Sequence, residues 1–109
     1  MELNELIKDA HENAVKHGFW DEINSIKNPL MNNQMNNAIS TLLMLIVGEV
    51  AEAQEGLRKN DAPNFREELA DVAIRLVDLC GGLDIDLEAE ITRKMKINAN
   101  RPYKHGKVF

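Results

Sequence analysis

The sequence is poor in everything that staples or stacks. It has one cysteine, one tryptophan, one tyrosine, three phenylalanines and three prolines in 109 residues. A single thiol closes no internal disulfide, which excludes a cross-linked framework and agrees with a reducing, cytoplasmic setting. The neighbours of Cys80, Leu76, Val77 and Leu79, predict that this thiol is buried. Long apolar runs are also missing. The longest, Leu42 to Val47, covers six residues, against the roughly 18 that a bilayer-spanning helix needs. The first acids, Glu2 and Glu5, leave no basic flank of the kind that opens a signal or transit peptide. β-Branched residues are scattered without sustained alternation, so nothing predicts a strand. There is no Gly-Lys-Ser/Thr phosphate loop and no Ser/His/Asp or Cys/His grouping. One cysteine and three scattered histidines disfavour zinc. None of His11, His17 or His105 has an acid three residues before it, as a di-iron bundle requires.

What remains is helical. Leu3, Leu6, Ile7, Ala10 and Ala14 recur at helical spacing, and His17-Gly18 stops the first helix after Lys16. Pro29 separates a second, strongly periodic from Met35 to Lys59, with a predicted core stripe of Ile39, Leu43, Ile46, Val50, Ala53 and Leu57. Asp61 is placed to cap a third helix with Pro63 in its first turn. That helix is predicted to bury Phe65, Leu69, Val72, Leu76 and Cys80, and to end at Gly81-Gly82 in a left-handed cap. Asp84 or Asp86 caps a fourth, with Leu87, Ile91 and Met95 as its apolar row. These elements predict one all-α domain over residues 1–109, a four-helix bundle. A chain this small, with so many Leu and Ile on its second helix, is expected to complete its core by homo-oligomerisation, as a dimer or tetramer.

Acids and bases are divided along the chain. Residues 1–90 hold 7 Lys/Arg and 18 Asp/Glu, a charge of −11, while residues 91–109 hold 6 Lys/Arg and no acid. Either the basic end offsets its own acidic body, or an acidic patch binds a cation beside a strip that binds an anion. A stripe on the second helix, Leu42, Leu45, Glu49, Glu52, Gly56, starts apolar and turns acidic without losing its period. Glu49 and Glu52 lie one turn apart on one face, and Glu68 and Asp71 repeat that spacing on the third helix. Antiparallel packing would let the pairs face each other as a hard-oxygen site for Mg²⁺ or Mn²⁺. Spacing alone leaves open two solvated acidic faces.

The stretches Gly48-Glu49-Val50-Ala51-Glu52-Ala53 and Glu68-Leu69-Ala70-Asp71-Val72 resemble the paired EExxE…ExxD signature of the MazG-like nucleotide pyrophosphohydrolases. These belong to the all-α NTP pyrophosphatase superfamily. The likeness extends over most of the chain, including the ending Asn98-Ala99-Asn100-Arg101-Pro102-Tyr103-Lys104-His105-Gly106-Lys107. It implies Mg²⁺-dependent hydrolysis of an NTP or dNTP to the monophosphate and pyrophosphate, in nucleotide-pool control or house-cleaning. Glu49, Glu52, Glu68 and Asp71 are then the catalytic metal ligands, and Glu52 the candidate for a bridging or general-base role. One position departs: Gly48 stands where the signature has its first Glu.

On the fourth helix Lys94 and Asn98 are one turn apart and Arg101 follows. The resemblance implies that Lys94 and Arg101 grip phosphates while Asn98 meets sugar or phosphate; the alternative is a solvated basic helix end that complements its dipole. His11 and Trp20 stand at a spacing that, by the same resemblance, contacts the base; a lone Trp is equally an anchor of the core. The acidic body argues against nucleic acid as a partner for the basic segment at about 99–109. The rival from another class is a non-catalytic helical module that binds nucleotide or a partner protein.

Overall fold

A computed structural model of the chain describes residues 2–26 and 32–109. The expected separator Pro29 lies outside the described residues. Among the described residues five α-helices follow one another: α1 (Leu3–Lys16), α2 (Asp21–Asn24), α3 (Asn32–Arg58), α4 (Ala62–Gly82) and α5 (Leu87–Ala99), with a 3₁₀ turn at Tyr103–Gly106. No strand occurs among the described residues.

The helix ends follow local chemistry. Glu5 in the first turn of α1 and Lys16 in the last oppose the helix dipole, and Gly18 at φ 84° turns the chain into α2. Asp61 accepts a hydrogen bond from the Asn64 backbone N–H at 3.1 Å, with proline in the first turn of α4. Asp86 does the same for α5 through Ala89, also at 3.1 Å. The connection between α3 and α4 is so short that the two helices lie antiparallel, packed along each other. α1 packs on α4, and α2 on α3; α5 is packed along no other helix among the described residues.

The α4 terminus corrects the expectation of a glycine cap. Gly82 is the last helical residue, Leu83 follows at φ −100°, and the left-handed residue is Asp84 at φ 55°. The two glycines are there for close approach. A Cβ on Gly81 would stand 2.9 Å from the His11 Cβ, and one on Gly82 would overlap the six-membered ring of Trp20. α1 and the Trp20 turn therefore seat directly on the α4 backbone.

The core is small: Trp20, Ile26, Ala38, Ala53, Val77, Leu79 and Cys80. On α3 half of the expected stripe faces inward: Ala53 is buried and Ile39 and Ile46 are half-buried, but the other half does not. Leu43, Val50 and Leu57 are 47%, 53% and 60% exposed, whereas Leu42, Leu45 and Glu49 are half-buried. α4 behaves alike, with Leu69 and Leu76 exposed and Val77, Leu79 and Cys80 buried. Apolar residues surround both helices, so composition does not mark the inner face; the α3–α4 and α1–α4 packing chooses it, and the other stripe is left on the surface.

Gly82→Ala is expected to lower stability by at least about 2 kcal/mol, since the added methyl group overpacks the Trp20 ring. Glycine-to-alanine changes in helices otherwise shift stability by at most about 1 kcal/mol, usually upward. Urea unfolding followed by the fluorescence of the single tryptophan checks this; an unchanged midpoint contradicts it.

Candidate metal centre

α3 enters the site with Glu49 and Glu52, one turn apart and just past its apolar half. α4 runs antiparallel beside it and brings Glu68 and Asp71. Glu49, Glu68 and Asp71 each place a carboxylate oxygen within 4.8 Å of the others. Glu52 is more exposed and stands outside this trio, but it reaches Glu49 and Glu68 closely enough to affect both. The structure thus gathers three of the four acids and keeps the fourth on the rim. Gly48, the departure from the signature, faces open space: a Cβ there would meet nothing within 4 Å.

The electrostatics are those of crowded acids. Desolvation, then the neighbouring Glu52, Glu49 and Asp71 carboxyls, push the Glu68 carboxyl up to about 7. Its Oε2 is buried and has no hydrogen-bond partner. Glu49 goes the other way, held below the usual carboxylate range chiefly by its hydrogen bond to Arg75. Arg75 Nε donates to Glu49 Oε1 at 2.8 Å, and its guanidinium lies 5.2 Å from the centre of the Phe19 ring. Glu49, Asp71, Arg75 and Asp78, with Asn13, Phe19 and Ile74, line a cleft of about 280 Å³ between α1, α3 and α4.

Arg75 and Asp78 escaped the sequence reading, although a signal was present. Glu68, Asp71, Arg75 and Asp78 fall at i, i+3, i+7 and i+10 on α4, a charged stripe on a helix that packs on both sides. Asp78 is buried, and one oxygen, Oδ1, serves two partners. Trp20 Nε1–H donates to it at 2.8 Å, and His11 Nδ1 lies 3.0 Å away. The His11 and Trp20 rings meet edge to face, centroids 4.8 Å apart. Trp20 is 2% exposed, so it has no ring face open to stack on a base: the core-anchor reading describes where it sits. His11 is half-buried against α4.

Lys94, Asn98 and Arg101 are not brought to the acids within one chain. Lys94 and Arg101 are exposed, no residue of α5 lines the cleft, and Asn98 Oδ1 is buried without a hydrogen-bond partner. Sequence spacing places such residues on one helix face; it does not say where that helix goes.

The model of the MazG nucleotide pyrophosphohydrolase domain family matches residues 37–103. The chain belongs to this family. No curated protein and no solved structure matches it. The stretch shared with the MazG family contains the acid trio, Arg75, Asp78 and all of α5, while His11 and Trp20, which clamp Asp78, precede it. No helix among the described residues is long and apolar enough to cross a membrane.

A cation entering the trio competes with the proton on Glu68, so Mg²⁺ binding is expected to release about one proton below pH 7 and to weaken by up to about tenfold per pH unit from there downward. Without metal the sign for stability follows from the same shift. The folded chain holds the Glu68 proton above its ordinary value of 4.5, so this group's contribution is present below pH 4.5 and is lost as pH rises through about 7. Calorimetric titration of Mg²⁺ at about pH 6, 7 and 8 checks the first expectation; an affinity flat over that range contradicts it.

Proposed function

We propose that the chain is a divalent-cation-dependent hydrolase that cleaves a nucleoside triphosphate to its monophosphate and pyrophosphate. The observation that carries this is the acid trio with its unsatisfied member: Glu68 Oε2 is buried, partnerless and surrounded by other carboxylates. A group so placed is stabilised by a cation, and an all-oxygen donor set suits Mg²⁺, with Mn²⁺ as a substitute. Glu49, Glu68 and Asp71 would hold it, with Glu52 as the fourth acid. When bound, such an ion neutralises phosphate oxygens and lowers the pKa of water.

The chain's own groups supply the rest. Glu52, exposed on the rim one turn from Glu49, is the carboxylate free to accept a proton from the attacking water. The water oxygen bonds to the α-phosphorus as the bond to the β-phosphate bridge breaks, and pyrophosphate departs. Ala10, Ala14 and Ile74 give the cleft apolar walls beside the acids, and Asn13 adds an amide. That combination suits a nucleoside held next to its phosphates. Asp78, clamped by His11 and Trp20, positions α1 as one of these walls.

Homo-oligomerisation belongs to the same reading. The outward stripe of α3 (Leu43, Val47, Val50) and the exposed Ile91 and Met95 of α5 are the apolar surface that a second copy would cover. For Lys94, Asn98 and Arg101 to grip phosphates, a copy of α5 has to reach a cleft, and assembly supplies that route.

The test is pyrophosphate release from a panel of common NTPs and dNTPs by the gel-filtered protein, with and without Mg²⁺. The expected result is elution above monomer mass and Mg²⁺-dependent release from at least one nucleotide. Glu68→Gln and Asp71→Asn should each lower kcat by on the order of a hundredfold or more, exceeding what loss of an outer hydrogen-bond partner does. Silence across the panel with metal present would leave the non-catalytic module as the better reading.

A further inference from the structure

We infer that Arg75 is the phosphate-binding cation of the cleft, built into α4 beside the acids themselves. The assignment rests on the hydrolase reading for the choice of a phosphate ligand, and on four structural observations for the residue. First, Arg75 is the one cation among the described residues that line the cleft with Glu49, Asp71 and Asp78. Lys94 and Arg101 lie on and beyond a helix that contributes nothing to its walls. Among the described residues, Arg75 is thus the positive side chain that the cleft offers to a polyphosphate held at the trio.

Second, the side chain is fixed but not used up. Nε donates to Glu49 Oε1 at 2.8 Å, and the guanidinium plane is held 5.2 Å from the Phe19 ring centre. The two terminal nitrogens donate to no group among the described residues. A guanidinium has five N–H donors, so four remain for an anion. Third, the side chain is only 29% exposed, and the Glu49 partner 14%. The ion pair is thus screened less than a surface pair. Fourth, the register on α4 places Arg75 one turn beyond Asp71, which puts a cation next to any ligand that bridges the acids.

The bond to Glu49 gives Arg75 a double character. It offsets the charge of one carboxylate of the trio through Nε alone. It also keeps the guanidinium pre-organised, so that little side-chain freedom is lost when phosphate arrives. A planar fork can take two non-bridging oxygens at once, which a lysine cannot.

The experiment uses the full chain, with Arg75→Gln and Arg75→Lys beside the wild type. Three quantities are measured: Mn²⁺ binding alone by water proton relaxation, inorganic pyrophosphate binding at saturating Mn²⁺ by calorimetry, and KM against kcat for the best NTP. Arg75→Gln should weaken pyrophosphate binding and raise KM by about ten- to a hundredfold while Mn²⁺ binding alone stays within about threefold, with Arg75→Lys in between. Unchanged pyrophosphate affinity and KM in Arg75→Gln would overturn the assignment. So would a loss of Mn²⁺ binding by the same factor as pyrophosphate, because Arg75 would then only support Glu49. A thermal melt checks folding. If the glutamine variant does not fold, Arg75→Lys carries the comparison, lost pyrophosphate affinity with intact Mn²⁺ binding supporting it and wild-type affinity overturning it. Pyrophosphate binding is read without turnover. A chain that binds pyrophosphate through Arg75 yet hydrolyses no NTP sinks the hydrolase reading alone, whereas a hydrolase indifferent to Arg75→Gln sinks only the assignment.

Discussion

Carboxylates held at the edge of a core repel each other and lose solvation, and the antiparallel seating of α3 on α4 forces Glu49, Glu68 and Asp71 into that position. Most of the site can be understood as the response to this crowding. Arg75 neutralises Glu49, crowding and desolvation push the Glu68 carboxyl up to about 7, and Asp71 and Glu52 stay exposed to water. The arrangement is unfavourable for the empty chain and favourable for a bound cation, which is how a site can be selective for charge with so few residues. The surrounding fold has to be stiff enough to hold the acids there, and in a chain with a small core that stiffness comes from helix seating.

The same stripe of α4 does a second task. One turn beyond Arg75, Asp78 turns inward and accepts from Trp20 while it meets His11. Burying a carboxylate is unfavourable unless donors reach it, and here they come from the segment that precedes the family domain. α1 and the Trp20 turn are therefore docked by a polar lock set among apolar contacts, over two glycines that let the aromatic ring approach the α4 backbone. The wall of the cleft and its floor are joined through this lock, so its integrity bears on the shape of the site as well as on stability.

Helix limits were legible because they are local. α1 ends at the Lys16 expected from its apolar spacing, and Asp61 and Asp86 are capping residues as their placement suggested. The approach of Glu49 to Glu68 and Asp71 was legible for a similar reason, since a short connection leaves antiparallel packing as the simple outcome, though Glu52 stays outside the trio. Three features were not. The inner face of α3 could not be read from a helix with apolar residues on several sides, and Leu43, Val50 and Leu57 turned outward. Gly81-Gly82 end α4 as expected but form no left-handed cap; they seat His11 and Trp20, a close approach that depends on residues far away in the chain. Arg75 and Asp78 carry no motif of their own, and only the packing of α1 and α3 on both flanks of α4 makes their stripe an interior one.

In the proposed reading the trio is the group among the described residues that holds a divalent cation. A crystal structure of the chain grown with Mn²⁺ tests this most directly, through the anomalous difference density of the ion. The account predicts a peak within coordination distance, about 2.2 Å, of oxygens from Glu49, Glu68 and Asp71. Density elsewhere, or none at a Mn²⁺ concentration that saturates binding in solution, would contradict it.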